Sequence, residues 1–327
     1  MTFILVRKLL RDVRPALIVV CLVLFVFATF WVKIAQRVTV EISPVFTSVA
    51  KVFGDKNLFQ DLLFKGPGKV SQAALGWGDL NFERPNDFLA MGMLHPIVLT
   101  LCVVWAVGRA AGAIAGELDR GTMELLMSQP VPRNRLIVAH FLVDLMVLPI
   151  ICLAFFAGTQ FGLAIIGDFI PDYTTLKNLK GPGGRTLPFQ IPENPEPLEV
   201  SGLGEFPGLM NTFALMFAIS GITIALSAAG RSRGKVTGYA VLVVVVMFVA
   251  NTIGQLWEPA AFVRPLTLFF YYQPQKVMLD GNWMVDLSKA WSWAPSVSGA
   301  GVLLAVGTVG YLVALRTFTR RDLPAPL

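Results

Sequence analysis

Charge is scarce in this sequence. Only 15% of its 327 residues are Asp, Glu, Lys or Arg and 55% are hydrophobic, whereas a soluble globular domain carries roughly 25% charged residues. The deficit is concentrated in uncharged runs, several of them reaching the roughly 18–20 residues that cross hydrocarbon as a helix, so a soluble fold is excluded and an integral membrane protein is expected. Histidine and cysteine are scarcer still, at two and three residues. So few ligands leave no Cys/His cluster for a metal, and an odd number of cysteines offers no disulfide framework. Cys21, Cys102 and Cys152 all fall inside apolar runs and read as small packing residues.

What is present is patterned. Residues 1–14, MTFILVRKLLRDVR, set Phe3, Ile4, Leu9 and Leu10 on one helical face and Arg7, Lys8, Arg11 and Arg14 within reach of phosphates, the pattern of an amphipathic helix lying in the membrane interface. Pro15 then opens a first span at 15–33. This basic start and apolar core resemble a signal peptide, but the core is too long and lacks a small-residue cleavage site, so the span is expected to be retained. Further spans are expected at 88–115, 136–166, 209–229, 236–256 and 294–315, with Pro149 kinking the third. The expected fold class is therefore an all-α integral membrane protein of six transmembrane helices, one domain over 15–327 behind the interfacial helix.

The segments between spans differ in character. Residues 34–87 and 168–208 are long and polar, the second containing GPGGRTLPFQIPENPEPLEV, while 257–293 is rich in Trp, Phe and Tyr, as at a membrane interface. Its run FVRPLTLFFYY is too short to span, so 259–280 is read as a re-entrant or interfacial hairpin. Six spans put both termini on one side. Segments 1–14, 108–135, 230–235 and 316–327 hold 14 Lys/Arg and 5 Asp/Glu, whereas 33–87, 168–208 and 258–293 hold 13 and 15 in more than twice the length. Lys and Arg favour the cytoplasmic side, so both termini are expected there and the three long segments outside the cell. The net charge of +6 then reflects topology, and no nucleic-acid partner is needed to explain it.

The segment 116–136, GELDRGTMELLMSQPVPRNRL, would then face the cytoplasm. Asp119 or Thr122 can cap a helix start, with Gly121 permitting the turn. Met123, Leu126 and Met127 share one face of the short helix, Glu124 and Ser128 lie on another, and Pro130 and Pro132 end it. A Met/Leu face flanked by charge suits either a groove on a soluble partner or a membrane surface.

This segment resembles the cytoplasmic signature of type-2 ABC (ATP-binding cassette) exporter permeases, in which an acid is followed by Gly-Thr, Glu-Leu-Leu, Pro-Val and Arg. The matching positions are Glu117, Gly121, Thr122, Glu124, Leu125, Leu126, Pro130, Val131 and Arg133. A basic amphipathic start, six spans, the turn ALSAAGRSRGK and the stretch VRPLTLFFYYQPQKVMLDG follow the same layout. The resemblance implies a coupling helix docked on a separate cytoplasmic ATPase, with Met123 and Met127 adding to the contact. It also implies a second permease protomer, the cytoplasmic membrane as location, and ATP and Mg held by the partner chain. No cofactor is expected in this chain: GRSRGKVT approaches a Walker phosphate loop but has three residues between its glycines and Val236 where Ser or Thr is required.

Two further constellations stand out. Gly108, Gly112 and Gly116 form a small-residue stripe suited to close helix approach, against span three or a second protomer. Arg109 and Asp144 lie at similar depth, ~10–13 Å, in antiparallel spans, where a lone charge is costly. A buried ion pair is the plainer reading, and a proton relay or substrate contact the sharper one. His95, beside Pro96, reads as a helix-packing hydrogen bonder. A non-transporting scaffold with partner-binding outer loops remains the alternative function. A membrane enzyme finds no paired acid and base, nucleophile or metal set in the spans.

Overall fold

The computed structural model describes residues 2–52, 84–128, 132–178, 189, 191–288 and 290–321. Among these, six helices are long and apolar enough to cross a membrane. The first, α1 (Thr2–Arg37), passes through Pro15 without a break, where the sequence suggested an interfacial helix followed by a separate span. Pro15 gives up the bond to the Arg11 carbonyl, and Arg11, Asp12 and Arg14 are exposed there, so water or headgroups can replace it. The helix continues through a π turn, Val38–Ile42, into α2 (Ser43–Val52), so the start of the expected 34–87 loop is helical; residues 53–83 lie outside the described residues.

Span two is two helices, α3 (Pro85–Leu94) and α4 (Pro96–Gly112). Proline disfavours the α conformation in the residue before it, and His95 accordingly turns extended. Its Nδ1 accepts from the Ile97 N–H at 3.3 Å, capping α4, and its ring lies against Phe27 and Trp31 of α1. Two short helices, α5 (Ala115–Asp119) and α6 (Thr122–Met127), precede span three, α7 (Arg133–Ile166), which runs helical through Pro149. Beyond it, α8 (Thr174–Asn178) lies in a segment held by backbone bonds from Asp172 to Val40 and from Leu198 to Phe169, both 2.8 Å.

Spans four and five are α9 (Phe206–Ala229) and α10 (Arg233–Leu256). A 3-10 stretch (Glu258–Leu266), α11 (Leu268–Tyr271) and α12 (Pro274–Asp280) then fold back toward the bundle. Asn211 of α9 donates to the Tyr271 carbonyl and accepts from the Gln273 N–H, while the Tyr272 hydroxyl donates to the Met93 carbonyl at 2.8 Å. Arg264 stacks over Phe270 at 5.2 Å, and burial lowers its pKa. A short antiparallel pair, β1 (Met284–Val285) with β2 (Val297–Ser298), leads to span six, α13 (Gly299–Arg320). This span starts later than the hydropathy alone suggests, because Pro295 and the β pair occupy the approach and Ser298 caps the helix through the Gly301 N–H.

The bundle is organised by two tight helix pairs around a buried centre. α9 is the central helix, with Leu215, Met216, Ile219 and Ile224 at most 1% exposed, and α13 packs along it. A Cβ on Gly221 would stand 2.3 Å from the Gly307 carbonyl oxygen, so the two backbones touch where neither has a side chain. α1 packs along α7 in the same way: a Cβ on Gly158 would stand 2.3 Å from the Phe25 carbonyl oxygen, and Thr29 bonds the Gly158 carbonyl at 3.0 Å. α10 is peripheral, its outward face carrying Tyr239, Leu242, Val246 and Ile253.

Candidate functional site

Residues 113–128 form a compact projection between spans two and three, rooted by polar contacts. The turn after α4 exposes backbone donors that a helix end cannot satisfy itself. Ser227 of α9 supplies the partner: its Oγ accepts from the N–H groups of Ile114 (3.1 Å) and Ala115 (3.0 Å) and donates to the Ala111 carbonyl (3.0 Å). One hydroxyl thus fastens the base of the projection to the central helix. Asp119, one of the two candidate caps, instead accepts from the Arg233 N–H at the start of α10 (3.2 Å).

The link between α5 and α6 turns at Gly121, whose φ of 71° is left-handed and favours glycine. Thr122 stands at the first position of α6, its hydroxyl donating to a Glu117 carboxylate oxygen and, at 3.3 Å, to the Glu117 carbonyl. The other Glu117 oxygen pairs with Arg120 at 2.5 Å. Glu117, Gly121 and Thr122 therefore act together as the frame that sets the angle between the two short helices.

The structure corrects one expectation about α6. Met123, assigned to a partner-facing surface, is 2% exposed and belongs to the main hydrophobic core, and Met127 packs against the same core. The apolar face anchors the helix to its own bundle because the connection is too short to hold it away. Glu124 and Leu125, with Leu125 71% exposed, face outward instead. Leu126 lies within α6, and Pro130 lies outside the described residues. Arg133, at the start of α7, donates to the Arg321 carbonyl at 2.5 Å, and Arg321 donates to the carbonyls of Ala228 and Gly230, each at 2.8 Å. Spans three, four and six are thereby tied at this end.

Behind the projection, the structure brings Arg109 and Asp144 together. Arg109 Nε stands 2.5 Å from Asp144 Oδ1, both side chains almost wholly buried. The second Asp144 oxygen accepts from the Tyr311 hydroxyl. Arg109 also reaches His140 twice, Nη1 to Nδ1 at 3.1 Å and Nη2 to the carbonyl at 2.7 Å. Arginine has only donors, so Nδ1 is the acceptor. Spans two, three and six thus meet at a saturated polar node. Tyr311 and Ser227 were not singled out in the sequence. Their only signal is a polar atom in an otherwise apolar span, which buried packing requires to find a partner.

Within the chain the glycine stripe, Gly108 and Gly112 on α4 and Gly116 on α5, borders an arginine and not span three. A Cβ on Gly112 or Gly116 would lie 3.6 Å from the Arg233 side chain, which bonds the Gly108 carbonyl at 3.3 Å. Among the described residues no three His, Cys, Asp or Glu side chains gather as a metal site.

A family model described as ABC-2 family transporter protein matches residues 5–323, nearly the whole chain. No curated protein and no solved structure matches it.

Proposed function

Because the chain belongs to the ABC-2 transporter family, as a multi-pass membrane permease component of an ABC transporter, we propose that it is the permease subunit of an exporter. ATP is hydrolysed with Mg by a separate cytoplasmic ATPase, whose binding site on this chain is the projection 113–128. Two permease protomers, identical or related, form the pathway, in the cytoplasmic membrane with both termini inside the cell.

The observation that carries this reading is the construction of the projection. Glu124 and Leu125 are presented outward on a helix whose other face is sunk in the core, while Ser227 and Asp119 tie its base to spans four and five. A lever needs such a rigid root and a free tip; an amphipathic loop resting on lipid needs neither. The charge asymmetry between the two sides supports the orientation.

The test is co-expression with ABC ATPase subunits of the same genome, followed by pull-down and ATPase assay in proteoliposomes. Co-purification, with hydrolysis that changes when the permease is present, is the expected result. A permease that purifies alone and leaves hydrolysis unchanged would favour the scaffold reading instead.

A further inference from the structure

The end of the bundle opposite the projection closes on one short turn. A 3-10 segment, Gly202–Glu205, leads directly into α9 and packs against α3, α7, α9 and α12. Ser201 holds it from two directions: its N–H donates to Asn86 Oδ1 of α3 at 3.2 Å, and its Oγ accepts from the Gly204 N–H at 3.3 Å. The fit is close. A Cβ on Gly202 would stand 2.5 Å from Gln160 Oε1 of α7. One on Gly208, in the first turn of α9, would stand 2.6 Å from the Met93 sulfur of α3 and 3.2 Å from the Pro274 carbonyl oxygen of α12.

Into this junction the turn places a carboxyl. Glu205 is 1% exposed. The Thr159 hydroxyl of α7 hydrogen-bonds its carboxyl, and Oε2 has no hydrogen-bond partner among the described residues. No cation neutralises it. α9 contains no Asp, Glu, Lys, Arg or His, and α7 none beyond Asp144. α3 carries Asp87, with Arg84 at its cap, and α12 carries Lys276 and Asp280; none of these pairs with Glu205. A carboxylate removed from water without a counter-charge is far costlier than the neutral acid, so the acid form belongs to the packed state. The ionised form needs water or new donors, and the close fit at Gly202 and Gly208 admits them only if the start of α9 separates from α3 and α7. Solvent is near: Gly204, the adjacent residue, lines an open hollow of about 490 Å³ together with Arg84, Asn86 and Ser201.

We propose that Glu205 is a protonation latch. With its carboxyl protonated, the turn seals this end of the bundle among α3, α7, α9 and α12. Loss of that proton to solvent, through the hollow beside Gly204, releases the turn and the start of α9, and Arg84 supplies the carboxylate with a counter-charge in the hollow. The sign follows from linkage: the closed state holds a proton that the open state gives up, so opening rises with pH once above the ordinary carboxylate range. The latch depends on neither the coupling role nor the orientation proposed above.

The test is hydrogen exchange of the full-length chain in neutral detergent, read by mass spectrometry over residues 202–212, with 219–229 of the same helix as reference. Protection is taken against the intrinsic exchange rate at each pH, so that it reports local opening. In the wild type, protection at 202–212 should fall roughly tenfold per pH unit between about pH 5 and pH 7, the slope of one linked proton, while the reference stays constant. Glu205→Gln, which keeps the shape of the neutral acid, should hold the turn closed with no slope. Glu205→Met, similar in size and without a proton to lose, gives a second reading should the amide fail to fold. Asp87→Asn and Lys276→Gln should keep the wild-type profile. A wild type without slope, or a slope that survives in the Glu205 variants, would overturn the proposal. So would a slope lost in Asp87→Asn or Lys276→Gln, which would assign the proton elsewhere. An equal loss of protection at 219–229 would mark global unfolding in place of a latch and overturn it as well.

Discussion

Removing both members of the buried node should cost less than the two single removals added together. In Asp144→Ala, Arg109 loses its only carboxylate at a depth where its side chain is 6% exposed. Stranding a buried charge costs about 3–5 kcal/mol, a large part of the roughly 5–15 kcal/mol by which a domain is stable. Arg109→Ala strands Asp144 by the same reasoning, with the Tyr311 hydroxyl its one remaining partner. The double variant leaves no lone charge. Its residual deficit is the Tyr311 hydroxyl and the His140 Nδ1, each deprived of a partner, at about 1–3 kcal/mol apiece if water does not enter. The cycle should therefore show a favourable coupling of about 3 kcal/mol, the upper end for contacting residues. Fluorescence-detected size exclusion after a temperature series, in detergent, gives the apparent stability of all four proteins. Tyr311→Phe serves as the internal scale and should lose about 1.5–3 kcal/mol, a hydrogen bond to a charged group. Losses that add strictly in the double variant would refute the pairing, and with it the joining of spans two, three and six.

Other expectations follow from the same geometry. Glu124→Lys and Leu125→Asp should weaken ATPase co-purification without lowering folded yield, whereas Met123→Asp should lower the yield itself by burying a charge in the core; a Leu125→Asp protein that binds and stimulates the ATPase normally would count against the proposed tip. Ser227→Ala leaves the buried N–H groups of Ile114 and Ala115 without their acceptor, costing about 2 kcal/mol or more in thermal unfolding, and should reduce transport more than ATPase binding. Gly158→Ala must push α1 from α7, since its Cβ would meet the Phe25 carbonyl at 2.3 Å, for a loss of roughly 1–3 kcal/mol; Gly108→Ala, in open space, should be silent in the same melt. Ser128→Cys and Ser232→Cys should resist an impermeant thiol reagent in intact cells while Thr175→Cys is labelled, and the reverse pattern would invert the proposed orientation.

The spans were legible because hydrocarbon imposes a length and a composition on any helix that crosses it, and those constraints are local. Their ends were less so. α13 starts at Gly299 rather than near 294 because of a proline, a β pair and a serine cap, and hydropathy weighs none of these. Depth counting placed Arg109 and Asp144 in one layer, since antiparallel helices share a ruler, but it could not supply Tyr311 from a span 167 residues away. Small-residue patterns say where close approach is possible, not which neighbour within the chain takes it. The i+4 glycines Gly108, Gly112 and Gly116 border an arginine side chain, while the seams inside the bundle use Gly158 and the Gly221–Gly307 contact, where a single close approach suffices. The orientation of α6 was misjudged for a related reason. Amphipathic spacing says which residues share a face, but only the length of the tether decides whether that face turns inward.

The two polar constructions divide the work of one mechanical problem. A helix of six residues cannot carry force by its own hydrogen bonds, because nearly all its backbone groups are terminal. Whatever acts on Glu124 and Leu125 must pass through the frame of Glu117, Gly121 and Thr122 into the base at 113–115. There Ser227 bonds the base of the projection to α9, and Asp119 bonds it to the start of α10, so the proposed coupling role would pass displacement to both spans. The Arg109 node lies just inside this base and joins the span that carries the projection to α7 and α13. In hydrocarbon such a node resists partial opening, since any half-broken state exposes an unmatched charge or donor. On the proposed coupling role, movement at the tip would therefore reach the bundle as rotation of the tied spans.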